Sequence, residues 1–168
     1  IRPGLDDKII CSWIGMMVIG LARAYKYLGD ERFLATAKKN MTFIENELME
    51  GTTIYRSYKE KRSGTKGFLD DYAFVIQACI RMYQVTFDEY WIRRAELIMK
   101  HAVAQFHDAE DGFFYYTSAE SEKLIARRKE LFDNVIPSSN SVMVQNLFQL
   151  GTILGDDHWT QLAEAIVT

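Results

Sequence analysis

Two kinds of hydrophobic pattern alternate along the chain. Between Ile9 and Tyr25 the only charged residue is Arg23, and Trp13, Ile14, Met16, Met17, Val18, Ile19 and Leu21 leave no polar face. Ala73 to Met82 is interrupted only by Gln77 and Arg81, and Ser141 to Leu154 carries no charge. Helices apolar all round are surrounded by protein. The segments between them differ. Phe33, Ala37, Met41, Ile44 and Leu48 step by three or four residues, as do Trp91, Ala95, Met99, Ala102 and Phe106. Lys38, Lys39, Glu45 and Glu47, then Arg93, Arg94, Glu96 and Lys100, fill the other faces, so these are helices with one buried stripe and a solvated back. The pattern predicts inner helices near 11–28, 70–86 and 139–154, and outer helices near 31–49, 89–107 and 157–168.

An internal repeat sets these helices in pairs. Leu28-Gly29-Asp30, with Ala37 beyond it, returns as Thr86-Phe87-Asp88 with Ala95 and as Leu154-Gly155-Asp156 with Ala163. The offset is 58 residues from Asp30 to Asp88 and 68 from Asp88 to Asp156. Recurrence at offsets of this size marks a helix-pair array. An inner ring of buried helices within an outer ring of one-sided ones makes a partial (α/α)6 toroid. The fold class is therefore all-α, a single domain over 1–168 with repeat units at about 9–58, 67–119 and 137–168. Asp30, Asp88 and Asp156 stand at the N-caps of the outer helices, where a carboxylate accepts otherwise unpaired N–H groups. Thr53 to Tyr58 and Gly112 to Thr117 are rich in β-formers and predict short strands in the connections. Leu124 to Phe132 suits a helical turn or an extended segment equally.

Composition narrows the function classes. A net charge of −3 gives no basic footprint for nucleic acid. No apolar run reaches the roughly 20 residues of a membrane span. Cys11 and Cys79 lie in apolar helical stretches and read as buried free thiols, which fits a reducing compartment. The chain opens on Ile1 and stops within the apolar pattern Ala165-Ile166-Val167, as expected of a piece of a longer polypeptide. Three hairpins cannot close a six-hairpin ring. Self-association through bare inner-helix edges is therefore expected, or a partner supplying the missing half.

Carboxylates gather ahead of the inner helices. Asp6-Asp7 precedes the first, Asp70-Asp71 opens the second and Asp133 precedes the third. Paired carboxylates are the tools of glycosidic bond cleavage, which makes Asp71, Asp70 and Asp133 the catalytic candidates. Helix capping is the competing reading of each. In the repeat register Trp13, Asp71 and Ser139 are equivalent, as are Ile14, Tyr72 and Asn140. Aromatic and amide groups at one level hold sugar rings, so Asp7, Trp13, Tyr72 and Asn140 are candidate substrate-binding residues. His101, His107 and His158 fall on or beside outer helices, and no metal-ligand spacing or nucleotide motif occurs, so no cofactor and no metal are expected.

Several motifs in fixed order resemble a known family. Arg2-Pro3, Leu5-Asp6-Asp7-Lys8, Ser12-Trp13 with Gly15, Gly67-Phe68-Leu69-Asp70-Asp71-Tyr72-Ala73-Phe74, Thr86-Phe87-Asp88 and Pro137-Ser138 with Asn140-Ser141 resemble the YyaL-type and spermatogenesis-associated thioredoxin-domain-containing proteins. The resemblance implies a thioredoxin-like domain elsewhere in the parent chain and a six-hairpin-glycosidase-like toroid, of which this chain is about half. It adds Arg127, in Leu124-Ile125-Ala126-Arg127-Arg128-Lys129-Glu130, to the binding candidates. Two positions depart from the family pattern: Gly4 replaces a histidine and Ile14 an asparagine, each loss removing a polar group. The expectation is a carbohydrate-active-like domain, with a non-catalytic scaffold or ligand-binding module as the alternative.

Overall fold

The computed structural model describes residues 6–120 and 127–167. Gly4, Leu124 to Ala126 and Thr168 lie outside the described residues. Six helices form three hairpins: α1 (Cys11–Leu28) with α2 (Glu31–Glu47), α3 (Leu69–Thr86) with α4 (Glu89–Phe106), and α5 (Ser139–Leu154) with α6 (Asp157–Val167). The three inner helices lie side by side in the order α1, α3, α5, and each outer helix packs against its own inner partner. The central helix is the most enclosed, with Leu69 to Ile80 buried without a break. The outer helices bury one side: Leu34, Ala37, Met41 and Ile44 on α2, and Trp91, Ala95, Met99, Ala102 and Phe106 on α4, where Ile92 and Ile98 widen the stripe. Leu34 takes the buried place expected of Phe33, which is half-buried.

The repeated motif is the turn between inner and outer helix. Asp30, Asp88 and Asp156 each accept a hydrogen bond from the N–H two residues on, capping α2, α4 and α6. The residue before each aspartate is left-handed: Gly29 at φ 68°, Phe87 at φ 55° and Gly155 at φ 66°. Phe87 adopts there a conformation that costs a Cβ-bearing residue energy. A Cβ on Gly15 would meet the Phe74 backbone at 3.0 Å, which is why α1 and α3 can approach so closely.

The first connection between hairpins carries short antiparallel strands. β1 (Ile9–Ile10) pairs with β4 (Ser57–Lys59), which pairs with β5 (Lys61–Arg62). β2 (Met49–Glu50) pairs with β3 (Thr53–Ile54). The second connection departs from expectation. Around Gly112 to Thr117 the described residues form single bridges, His107 with Phe114 and Tyr115 with Lys129. From Arg127 to Phe132 the backbone is not helical. Cys11 and Cys79 are buried and free.

Candidate functional site

The first turns of α1 and α3 are joined by one carboxylate. Asp71, fully buried, accepts at Oδ1 from the Ser12 N–H of α1 (2.9 Å) and at Oδ2 from the Phe68 N–H just before α3 (3.0 Å). Its second oxygen also meets Arg56 Nη1 at 3.0 Å. The same Nη1 lies 2.8 and 2.7 Å from the two oxygens of Asp70. Arg56 reaches this position from the segment between β3 and β4, where its carbonyl accepts from the Cys11 N–H (3.0 Å). Its guanidinium lies 5.2 Å over the Phe68 ring, which stacks on Tyr116 at 5.1 Å. The Leu69 N–H, in turn, donates to the Tyr116 carbonyl (2.9 Å). The starts of two inner helices and both connections thus converge on the acidic pair.

Opposing effects set the charge of Asp71. Burial and then the Asp70 charge push its carboxyl up to about 7, against Arg56 and the Phe68 N–H, which favour the ionised form. All three of its partners donate, which favours the ionised carboxylate without outweighing burial and the Asp70 charge. Asp70 has Arg56 as its one hydrogen-bond partner among the described residues, leaving acceptor capacity on both oxygens. It is slightly more open than Asp71, with a side chain 8% exposed. The Arg56 guanidinium is held well above its ordinary range by the two aspartates despite its burial.

The other candidates sit in different company. Asn140 is buried; its Oδ1 accepts from the Phe114 N–H (2.8 Å) and its Nδ2 donates to the carbonyls of Phe114 (3.0 Å) and Glu130 (2.9 Å). Asp133 accepts from the Ser138 N–H and the Ser141 hydroxyl at 2.8 and 3.0 Å, which lowers its pKa. Arg127 donates to the carbonyls of Thr117 and Gln105 and lies 4.0 Å over the Tyr115 ring. Tyr72 points its hydroxyl to the Ile54 N–H (3.1 Å) and stacks on His101 of α4. Asp7 forms an exposed ion pair with Lys59 at 2.6 Å, and Trp13 is 60% exposed. Ile14 is buried.

Asp70 and Asp71 are therefore brought together, whereas the hydrogen-bond partners of Asp71 and Asn140 do not overlap. The inter-helix bond of Asp71 runs to Ser12 rather than to Asn140 or Arg127. The α3 cap contact falls to Asp71 and not to Asp70. Arg56, Phe68 and Tyr116 were not foreseen as site residues. Arg56 sits in a predicted strand, 14 residues before Asp70, and no local spacing ties the two. Among the described residues no group of three or more acidic, histidine or cysteine side chains could hold a metal ion. Among the described residues no helix is long and apolar enough to cross a membrane.

No family model matches the chain. Human spermatogenesis-associated protein 20 is 28% identical over 178 residues, a match that covers 99% of this chain and 23% of the relative. An uncharacterized protein of Caenorhabditis elegans is 28% identical over 169 residues, again across 23% of its length. The chain thus spans about a quarter of the curated relatives it matches. Among solved structures it resembles a family 76 α-mannanase of Bacteroides thetaiotaomicron (TM-score 0.78, 16% identity, 98% of this chain and 44% of that one). It also resembles an inactive variant of a Salegentibacter α-1,6-mannanase (TM-score 0.76, 13% identity, 94% and 46%). A third is cellobiose 2-epimerase of Bacillus thermoamylovorans (TM-score 0.77, 14% identity, 99% and 45%). The chain is homologous over its whole length to spermatogenesis-associated protein 20, and it folds as part of a six-hairpin, glycosidase-like α/α toroid.

Proposed function

We propose that the chain supplies one wall of a sugar-binding cavity, with Asp70 and Asp71 as its acidic pair. The observation that carries this reading is the geometry of the pair itself. Two consecutive carboxylates share one guanidinium, beside the stacked rings of Phe68 and Tyr116. Aromatic faces and acidic groups at a helix start are what hold and protonate a sugar. The inactive α-1,6-mannanase carries asparagine in place of two consecutive aspartates, the same residue pairing on the same fold.

The two carboxylates divide the work. Asp71, with every bond taken from a donor, orients Arg56 and both helix starts and so acts as a positioning residue. Asp70 keeps free acceptor capacity and is the group to meet a sugar hydroxyl or a glycosidic oxygen. The scaffold reading is favoured by a separate observation. Asn140, Asp133 and Arg127 spend their polar atoms on the protein's own loops.

Calorimetric titration with mannosides, glucosides and unsaturated uronides tests the reading on the whole parent protein. Binding should disappear in Asp70→Asn while the melting temperature holds. Equal binding by wild type and Asp70→Asn, or none by either, assigns the domain to a scaffold.

A further inference from the structure

Away from the acidic pair, toward the C-terminal ends of α1 and α3, the two helices leave a groove of about 250 Å³ between them. Arg23, Lys26 and Tyr27 of α1 line it, with Arg81 and Gln84 of α3. Arg81 follows Asp70 on the same helix by three turns, about 16 Å along the axis at 1.5 Å per residue. Three cationic side chains thus share one groove, and no carboxylate lines it among the described residues. Both walls are helices that pack on each other within the chain.

Helix geometry alone does not ask for these charges. A cation stabilises a helix C-terminus only within the last turn. Lys26 fits that role on α1, but Arg23 and Arg81 lie more than a turn before the ends of their helices, and α3 has no basic residue in its last turn. The repeat does not ask for them either. Arg23 and Arg81 are equivalent across the 58-residue offset, yet their α5 counterpart is the neutral Gln149. Like charges beside one groove repel: the Arg81 guanidinium is lowered from its ordinary range first by burial and then by the Arg23 charge. Its Nη1 donates to the Gln84 side-chain oxygen at 2.7 Å, while its Nε is buried without an acceptor among the described residues. The guanidinium is therefore held in place, short of acceptors and facing a second cation.

We propose that this groove binds an oxyanion, a phosphate or sulfate group, between Arg23, Lys26 and Arg81. The proposal does not rest on the sugar-binding reading, whose acidic pair lies at the other end of the same helices. Two guanidinium forks match the spacing of oxygens on a tetrahedral anion, and the Lys26 ammonium adds a compact charge. Gln84 holds one of those forks before the ligand arrives. The volume falls below the roughly 300 Å³ at which pockets for drug-sized ligands begin, so it suits an ion or the head of a small ester. A bound anion also cancels the repulsion between Arg23 and Arg81, which ties binding to stability.

Thermal unfolding and calorimetric titration of the whole parent protein with inorganic phosphate test this, against sodium chloride at equal ionic strength. Phosphate should raise the melting temperature where chloride does not. Arg81→Gln and Arg23→Gln should each weaken phosphate binding about tenfold or more, the scale of one hydrogen bond to a charged group. In phosphate-free buffer neither should lower the melting temperature, because each removes a repulsion. Arg23 is exposed, so its variant keeps the fold whatever Arg81→Gln does. Tighter binding of glucose 6-phosphate than of inorganic phosphate would make this a phosphate-ester site, and equal binding a free-anion site; either upholds the proposal. A wild type that does not distinguish phosphate from chloride overturns it and leaves the three cations to carboxylates elsewhere in the parent chain. Phosphate binding that survives both substitutions overturns it equally.

Discussion

The second and third hairpins are built on one plan, yet their starts are held by opposite chemistry. At α3 the helix contributes the acceptors. Asp71 takes N–H groups from α1 and from its own cap, and Arg56 comes in from the segment between β3 and β4 to balance the charge. At α5 the equivalent residue is Ser139, whose N–H and hydroxyl donate to Glu130 of the connection at 3.2 and 2.9 Å. Next to it Asn140, a neutral amide, ties the loop backbone at Phe114 and Glu130. The turns that end the two inner helices differ as well, with Phe87 left-handed in one and Gly155 in the other. The repeat conserves where a polar group is needed, but not which group. The charge sits where two inner helices and both connections meet, and the amide sits where only a loop must be pinned.

The largest expected effect separates the two starts outright. Asp71→Ala leaves Arg56 and two N–H groups without their shared acceptor in a buried site, and it should cost about 3–5 kcal/mol in urea denaturation. Asn140→Ala removes three bonds to loop backbone and should cost about 2 kcal/mol, the usual scale for orphaned buried groups. Equal losses for the two variants would erase the distinction between a charged hub and a neutral clamp.

The pH response should also differ between the two starts. The Asp71 pKa is raised from its ordinary 3.8 to about 7, so between those values the native state holds a proton that the unfolded state has released. That contribution to stability is complete below 3.8 and is lost as pH rises through 7. Subtracting the pH–stability curve of Asp71→Asn from that of wild type should leave a fall across this window. The same subtraction for Asn140→Ala should be flat, since an amide does not titrate. A flat curve for Asp71→Asn would mean that the three donors outweigh burial and keep Asp71 ionised throughout.

The smallest effect concerns the turns. Phe87→Gly gives the second hairpin the residue that the third already has at Gly155, and it should raise stability by about 1 kcal/mol through relief of the left-handed backbone. A loss instead would show that the contact of the Phe87 ring with Tyr83 outweighs the strain.

Helices, pairing and caps were legible in the sequence because each depends on residues a few positions apart. The apolar run of α5, the stripe of α4 from Trp91 to Phe106 and the caps at Asp30, Asp88 and Asp156 are all written locally. So was the acidic pair, as two neighbouring letters. What those letters do was decided by tertiary structure. Asp71 bonds a residue 59 positions away, Arg56 arrives from the segment between β3 and β4, and Asn140 closes on a loop 26 positions back. The second connection, expected as a strand, forms single bridges in place of a ladder among the described residues, and side chains of Lys129 and Asn140 add to them. Trp13 and Met17 belong to a pattern that reads as buried, yet α1 leaves them bare. Periodicity records which faces are apolar. Whether a face is covered depends on a neighbouring helix, which only the assembled fold supplies.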